Sequence, residues 1–225
     1  MSNIQDLKAK LLAENVGKRR SLPFQTLKVD GKARKFLLGE KELPEVEVFF
    51  ISEYAQYIHY DPQLQRLTLL SQITKPFAIQ NAIDLKTGQK IGALVKKMKD
   101  ADIKPKYISI YLVFVKNGNK WEEAVFYLKG AVLKSFMEIK QDLKNEGKEV
   151  ISSVLHLGLK PKRKGSVEYA ELKLISHADI EDESVLTNAI ISLDRFKSAL
   201  EDYNKYEPME EPVEVEDDTE PEVEF

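Results

Sequence analysis

Three clusters of cations, one of them set beside aromatic rings, carry the residue types and spacing for chemistry in this chain. In "KPKYISIYLVFV" (104–115), strand alternation puts Tyr107, Ser109 and Tyr111 on one face, just after Lys104 and Lys106. The opposite face, Ile108, Ile110, Leu112 and Phe114, reads as core. Across the turn Asn117-Gly118-Asn119, a second strand adds the ring of Trp121, on one face with Glu123, Val125 and Tyr127. Such rings offer π-faces on which any base can stack, for about 1–3 kcal/mol per base, while neighbouring lysines follow the phosphates. The second cluster, Lys160, Lys162, Arg163 and Lys164, lies in "LKPKRKGS" (159–166), at the tip of a predicted hairpin. The third is Lys18, Arg19 and Arg20, directly after Gly17. Together these are the predicted DNA-binding residues, and their phosphate contacts would make binding strongly salt-dependent.

Other chemistries find little support. His59, His156 and His177 are scattered and form no HExxH or close metal-ligating pair. The absence of cysteine excludes disulfides, thiol catalysis and thiolate-bound zinc. "TGQKIG" (87–92) is not a phosphate-cradling GxxxxGK[ST] loop and reads as a turn into a helix. The acid-rich "ADIEDES" (178–184) reads as a helix N-terminus, where the dipole favours carboxylates. No nucleophile, base and orienting group assemble, so no enzyme activity, metal or cofactor is expected.

Charge divides the chain in two. Ten of the 37 acidic residues lie in 206–225, which holds no Lys or Arg. Residues 1–205 therefore keep 27 acids against 34 Lys and Arg, a net of +7. The expected organisation is a basic body over 1–205 and an acidic tail over 206–225, too poor in apolar residues to order itself. No run of about 18 apolar residues calls for a membrane span, and the first residues lack the apolar core of a signal peptide. Cytoplasmic residence is the expectation.

Several elements must position the basic and aromatic residues. Ser2, Ile4, Leu7, Leu11 and Leu12 predict a short helix ended by Gly17. "FQTLKVDGKARKFLL" predicts a hairpin turning at Asp30-Gly31, and residues 45–60 a long or bent strand. Ile91, Leu94, Val95 and Met98 mark one helix; Val132, Phe136, Ile139 and Leu143 mark a second, ended at Gly147. Another hairpin spans 149–176. Leu186, Ile190, Leu193, Phe196 and Leu200 mark a last helix, to about Tyr203. Antiparallel hairpins with a few helices predict an α+β fold, with an antiparallel OB-like barrel and added helices.

The basic body and the acidic tail ending in Phe225 resemble the single-stranded-DNA-binding proteins of bacteria and bacteriophages. The run "YISIYLVFVKNGNKWEEAVFYLKGAVLKSF" (107–136) is similar to the centre of phage members, where a "FxLKG" strand end leads into a helix. The resemblance implies an OB fold that binds single-stranded DNA in replication, recombination or repair, in a bacterial host cytoplasm for a phage protein. It implies that the tail recruits replication proteins such as polymerase, primase or helicase, with Phe225, Glu224, Asp217 and Asp218 matching that role. A homodimer is compatible with it. The chain departs from the bacterial pattern in lacking an Asp-Asp-Asp-Ile-Pro-Phe ending and a Gly/Gln-rich linker. The alternatives are an acidic-tailed chaperone or DNA-mimic inhibitor of a basic protein, and a nuclease, for which no carboxylate cluster is found.

Overall fold

The computed structural model describes residues 20–151 and 153–206. The predicted N-terminal helix, Lys18, Arg19 and the tail with Asp217, Asp218, Glu224 and Phe225 lie outside the described residues. The chain is α+β. Its strands are β1 (Gln25–Asp30), β2 (Lys35–Leu38), β3 (Lys41–Leu43), β4 (Val46–Asp61), β5 (Arg66–Leu70), β6 (Lys106–Asn117), β7 (Lys120–Leu128), β8 (Ser153–Lys164) and β9 (Val167–Asp179). A 3-10 turn (Pro76–Asn81) and helix α1 (Ile91–Asp100) fall between β5 and β6; α2 (Gly130–Asn145) follows β7, and α3 (Glu183–Tyr203) follows β9.

The strands form one sheet in the order β3-β2-β1-β7-β6-β4-β8-β9, with β5 pairing to β4 off that path. The pairings are antiparallel except β1 with β7, which is parallel. Among the described residues no pairing joins β3 to β9, so the sheet is open and the expected barrel is not closed by hydrogen bonds. β4 is long because its aromatic and β-branched residues have partners on both sides: β6 on one, β8 and then β5 on the other. A register shift between Phe50 and Ser52 bends it, as predicted for 45–60.

Local chemistry explains most turns. Gly118, at φ 61°, and Asn119 form the two-residue β6–β7 turn. The β1–β2 turn departs from the two-residue expectation. The Asp30 carboxylate accepts the backbone N–H groups of Lys32 and Ala33, and Arg34 takes φ 57°, so residues 31–34 make the bend. Gly130 carries the chain from β7 into α2 at φ 58°; a Cβ there would meet nothing, so the backbone angle alone selects glycine.

Two apolar layers lie on opposite faces of β6 and β7. On one face Tyr111, Val113, Val115, Ala124 and Phe126 join Leu27, Phe50, Leu155 and Leu172, with Phe136, Ile139 and Leu143 of α2 packed among them. On the other, Ile110, Leu112 and Val125 are covered by Phe196 and Leu200 of α3. This corrects the reading of β6 as a strand with one exposed face: α2 covers Tyr111, on the face expected to be open, while α3 covers the face expected to be core. It also corrects the face of α3, which buries Val185, Ala189, Ser192, Phe196 and Leu200 and leaves Ile190 64% exposed and Leu186 outside.

Candidate nucleic-acid interface

Of the rings predicted to stack on bases, Tyr111 is withdrawn into the core. It is fully buried, edge-on to Phe50 and Phe136, and its hydroxyl donates to Glu53 Oε1 at 2.6 Å. Lys140 of α2 pairs with the other Glu53 oxygen at 2.6 Å. Burial, and secondarily the Glu53 carboxylate, hold the Tyr111 hydroxyl protonated far above its ordinary range. A base cannot reach this ring. Arg20 is also engaged: its guanidinium donates to the carbonyls of Tyr203, at 2.7 Å, and Lys205, so it fastens the end of α3.

Tyr107 is the ring that stays accessible. It sits half-buried at the start of β6, edge-on to Tyr57 at 5.3 Å between centroids. Lys106, Tyr107, Lys129 and Gly130 line a cleft of about 530 Å³. A neighbouring cleft of about 360 Å³ shares Lys129 and adds Lys28, Val29, Ile108, Tyr127 and Val132. The two clefts meet at Lys129 and form a groove round the strand ends, with Tyr107 on the Tyr111 face of the sheet and Tyr127 on the face that packs against α3. Burial raises the hydroxyl pKa of Tyr107, and burial with Tyr203 nearby pushes that of Tyr127 up to about 12. Both rings are therefore neutral donors at physiological pH, set among three ammonium groups. Among the described residues, Lys28, Lys106 and Lys129 have no ion-pair partner. The first turn of α2 contains no acid, and the nearby Glu53 carboxylate is held by Tyr111 and Lys140.

The predicted basic hairpin is an arm that continues this surface. β8 pairs with β4 only as far as Leu157, after which residues 158–164 pair with β9 alone. It is held at three points along its length, from near the tip toward the root. A Cβ on Gly31 in the β1–β2 turn would stand 3.4 Å from Ala170 N, Arg34 pairs with Glu168 at 3.4 Å, and the Leu172 N–H donates to Ser135 of α2 at 2.8 Å. Because β1 and α2 also supply Lys28 and Val132 to the groove, arm and groove share their supports. Lys160 and Lys164 are exposed and unpaired among the described residues, whereas Lys162 pairs with Glu171 at 3.6 Å and Arg163 Nε donates to the Gly165 carbonyl at 2.9 Å.

Trp121 and Lys104 do not join the groove centre. Lys104 is exposed in the loop before β6 and pairs with Asp102 at 3.7 Å. Trp121 lies at the opposite end of the β6–β7 hairpin, opposite Lys116 and so roughly 30 Å from Tyr107 at the rise of an extended strand. It lines a separate cleft of about 470 Å³ under α3, with Lys120, Glu123, Asp182 and Arg195. Asp182 there caps α3 by accepting the Ser184 N–H at 2.9 Å, as expected for the acid-rich stretch. Among the described residues no three His, Asp or Glu side chains are placed to hold a metal ion. No helix among them is long and apolar enough to cross a membrane.

Lys28, Lys129 and Tyr127 are the groove residues the sequence reading did not single out. Lys129 sits in the "FYLKG" strand end already noted for its resemblance, which was the available signal. Lys28 had none, because only the parallel pairing of β1 with β7 brings it there. Compared with known protein families, characterised proteins and solved structures, the chain finds no match.

Proposed function

We propose that this chain binds single-stranded DNA without sequence preference, during DNA replication, recombination or repair. The observation that carries the reading is the groove: unpaired Lys28, Lys106 and Lys129 around the neutral rings of Tyr107 and Tyr127. A flexible strand can lay bases on such rings while its phosphates meet the ammonium groups, and neither contact reads base identity. Lys160 and Lys164 on the arm extend the phosphate track.

The connectivity supports an OB-like reading of the central strands. β4, β6, β7, α2, β8 and β9 follow the order strand, strand, strand, helix, strand, strand, and β4 pairs with both β6 and β8. In such barrels the second and third strands and the loop between the last two carry oligonucleotides; here these are β6, β7 and the arm. β1 occupies the free edge of β7, where the last strand would otherwise close the barrel. The acidic tail, with Asp217, Asp218, Glu224 and Phe225, is proposed to recruit replication proteins: its charge attracts basic partners, and the Phe225 ring with its α-carboxylate supplies an anchor.

The test is a titration of labelled oligo-dT and of a duplex of equal length with the full chain at several salt concentrations. Tighter binding of the single strand is expected, with log K falling by roughly 0.7 per phosphate contact for each log unit of salt. No binding at low salt, or a preference for duplex, overturns the reading. For the tail, loss of Phe225 should leave DNA binding intact and abolish capture of a polymerase, primase or helicase; unchanged capture removes the anchor.

A further inference from the structure

The apolar side chain most exposed to water among the described residues is Phe77, at 88%, and the tyrosine groove does not use it. It follows Pro76 at the start of the 3-10 turn, so the backbone that presents it is pre-set. In a 3-10 turn side chains three apart eclipse, which aligns Phe77 with Gln80. Gln80 lies against α1: a Cβ on Gly92 would stand 3.1 Å from both its carbonyl oxygen and its Oε1. From Gly92, the helical stripe runs through Lys96 to Lys99, both exposed. Exposed Lys90 stands at the N-cap of the same helix.

The helix dipole accounts for Lys99, in the last turn, but not for the others. An N-cap lysine opposes the dipole, and Lys96 sits mid-helix. Among the described residues Lys90, Lys96 and Lys99 have no ion-pair partner: Asp100, one turn on from Lys96, forms no ion pair with it, and Asp102 pairs with Lys104. Another face of the same helix packs toward Tyr107. Leu94 and Met98 of α1 pack in the same apolar cluster as Tyr107.

We propose that Phe77, Lys90, Lys96 and Lys99 form a second single-strand contact, reached by longer strands that leave the Tyr107 groove and cross α1. The ring stacks one base and the lysines hold the phosphates that lead to it. This rests on the single-strand reading above and adds a length dependence to it. Charge complementarity favours a polyanion over an apolar peptide, because three unpaired cations adjoin one isolated ring.

The test compares oligo-dT of about 6 and about 16 nucleotides, the span of site sizes for one OB module, by anisotropy with the wild-type chain and with Phe77→Ala. The variant should lose about 5- to 150-fold in affinity for the longer strand, the range for one stacked base, and keep the wild-type affinity for the shorter. Because Phe77 is exposed, its melting temperature should match the wild type. Lys90, Lys96 and Lys99 changed together to Ala should lower the salt slope for the longer strand by roughly 2 and leave the shorter unchanged. Equal affinities of Phe77→Ala and wild type for the longer strand overturn the proposal alone, and so does an equal loss on both lengths. If the wild-type chain binds neither strand, the single-strand reading falls and this contact with it.

Discussion

The two ends of the β6–β7 hairpin contain similar residue types and are built for different purposes. At the Tyr107 end, Lys28, Lys106 and Lys129 line adjoining clefts with Tyr107 and Tyr127 and form no ion pair among the described residues. At the Trp121 end, two of the three cations near the ring have an acidic partner: Lys116 pairs with Glu47 and Arg195 with Glu123, both at 2.7 Å, while Lys120 has no ion pair among the described residues. Trp121 itself packs beside Phe49, Phe114 and Val185, at the seam between the sheet and α3. One end leaves its lysines unpaired among the described residues, and the other pairs two of its three cations where α3 docks on the sheet. Aromatic and basic composition alone does not separate a binding surface from a helix seam; the pairing of the charges does.

The strongest way to break this comparison is to remove the unpaired charges. Changing Lys28, Lys106 and Lys129 together to Ala should weaken single-strand binding roughly 100-fold, from about 1 kcal/mol per exposed pair, and lower the salt slope by roughly 2. Reversing the charge of Lys120 at the other end should change affinity little. Equal losses from both changes would erase the distinction.

Tyrosine substitutions sharpen it within one strand. Tyr111→Ala should lower stability by about 3–5 kcal/mol, as for other large buried aromatics, because it opens a cavity beside Phe50 and Phe136 and removes a hydrogen bond from Glu53. Its binding per folded molecule should be unchanged. Tyr107→Ala should cost about 1–3 kcal/mol of binding with a smaller loss of stability. Denaturation and anisotropy on the two variants would show whether the roles are reversed.

The arm should matter less than the groove. Changing Lys160, Lys162, Arg163 and Lys164 to Ala removes two exposed cations and two already occupied, so the salt slope should fall by about 1 to 2. A smaller effect concerns alkali. Tyr111 and Tyr127 have hydroxyl pKa values raised above the ordinary 10.0, so the unfolded chain releases these protons first. Stability from this source is intact below pH 10.0 and declines above it, by up to about 1.4 kcal/mol per pH unit per tyrosine. Chemical denaturation at pH 9 and 11 checks the sign. The least effect is expected at Trp121, whose fluorescence should stay unquenched as oligo-dT fills the distant groove.

Local signals in the sequence were enough for the helices at 91–100 and 130–145, the Gly118-Asn119 turn, the bent strand and the basic hairpin, since periodicity and turn chemistry act over a few residues. The exposure of Tyr111 was not legible, because alternation says which residues share a face and not what covers it. The cover over Tyr111 comes from Phe136 of α2, beyond the next strand, and α3 covers only the face already expected to be core. The near-continuous run Ile110–Val115 was the hint that both faces are buried. Leu186 and Ile190 misled for a related reason: the buried stripe of α3 runs from Val185 through Ala189 and Ser192 to Phe196 and Leu200, so two small residues hold places that size alone assigns to their larger neighbours. Among the predicted cations, Arg20 was lost to a helix end that sequence spacing could not bring beside it.

Hydrogen exchange read by mass spectrometry, with and without saturating oligo-dT, tests the central claim most directly. The account predicts slowed exchange in peptides covering 104–109, 126–133 and 158–168, with 117–123 and 184–195 unchanged. Protection confined to 117–123 and 184–195 would place the strand at the Trp121 end and contradict it.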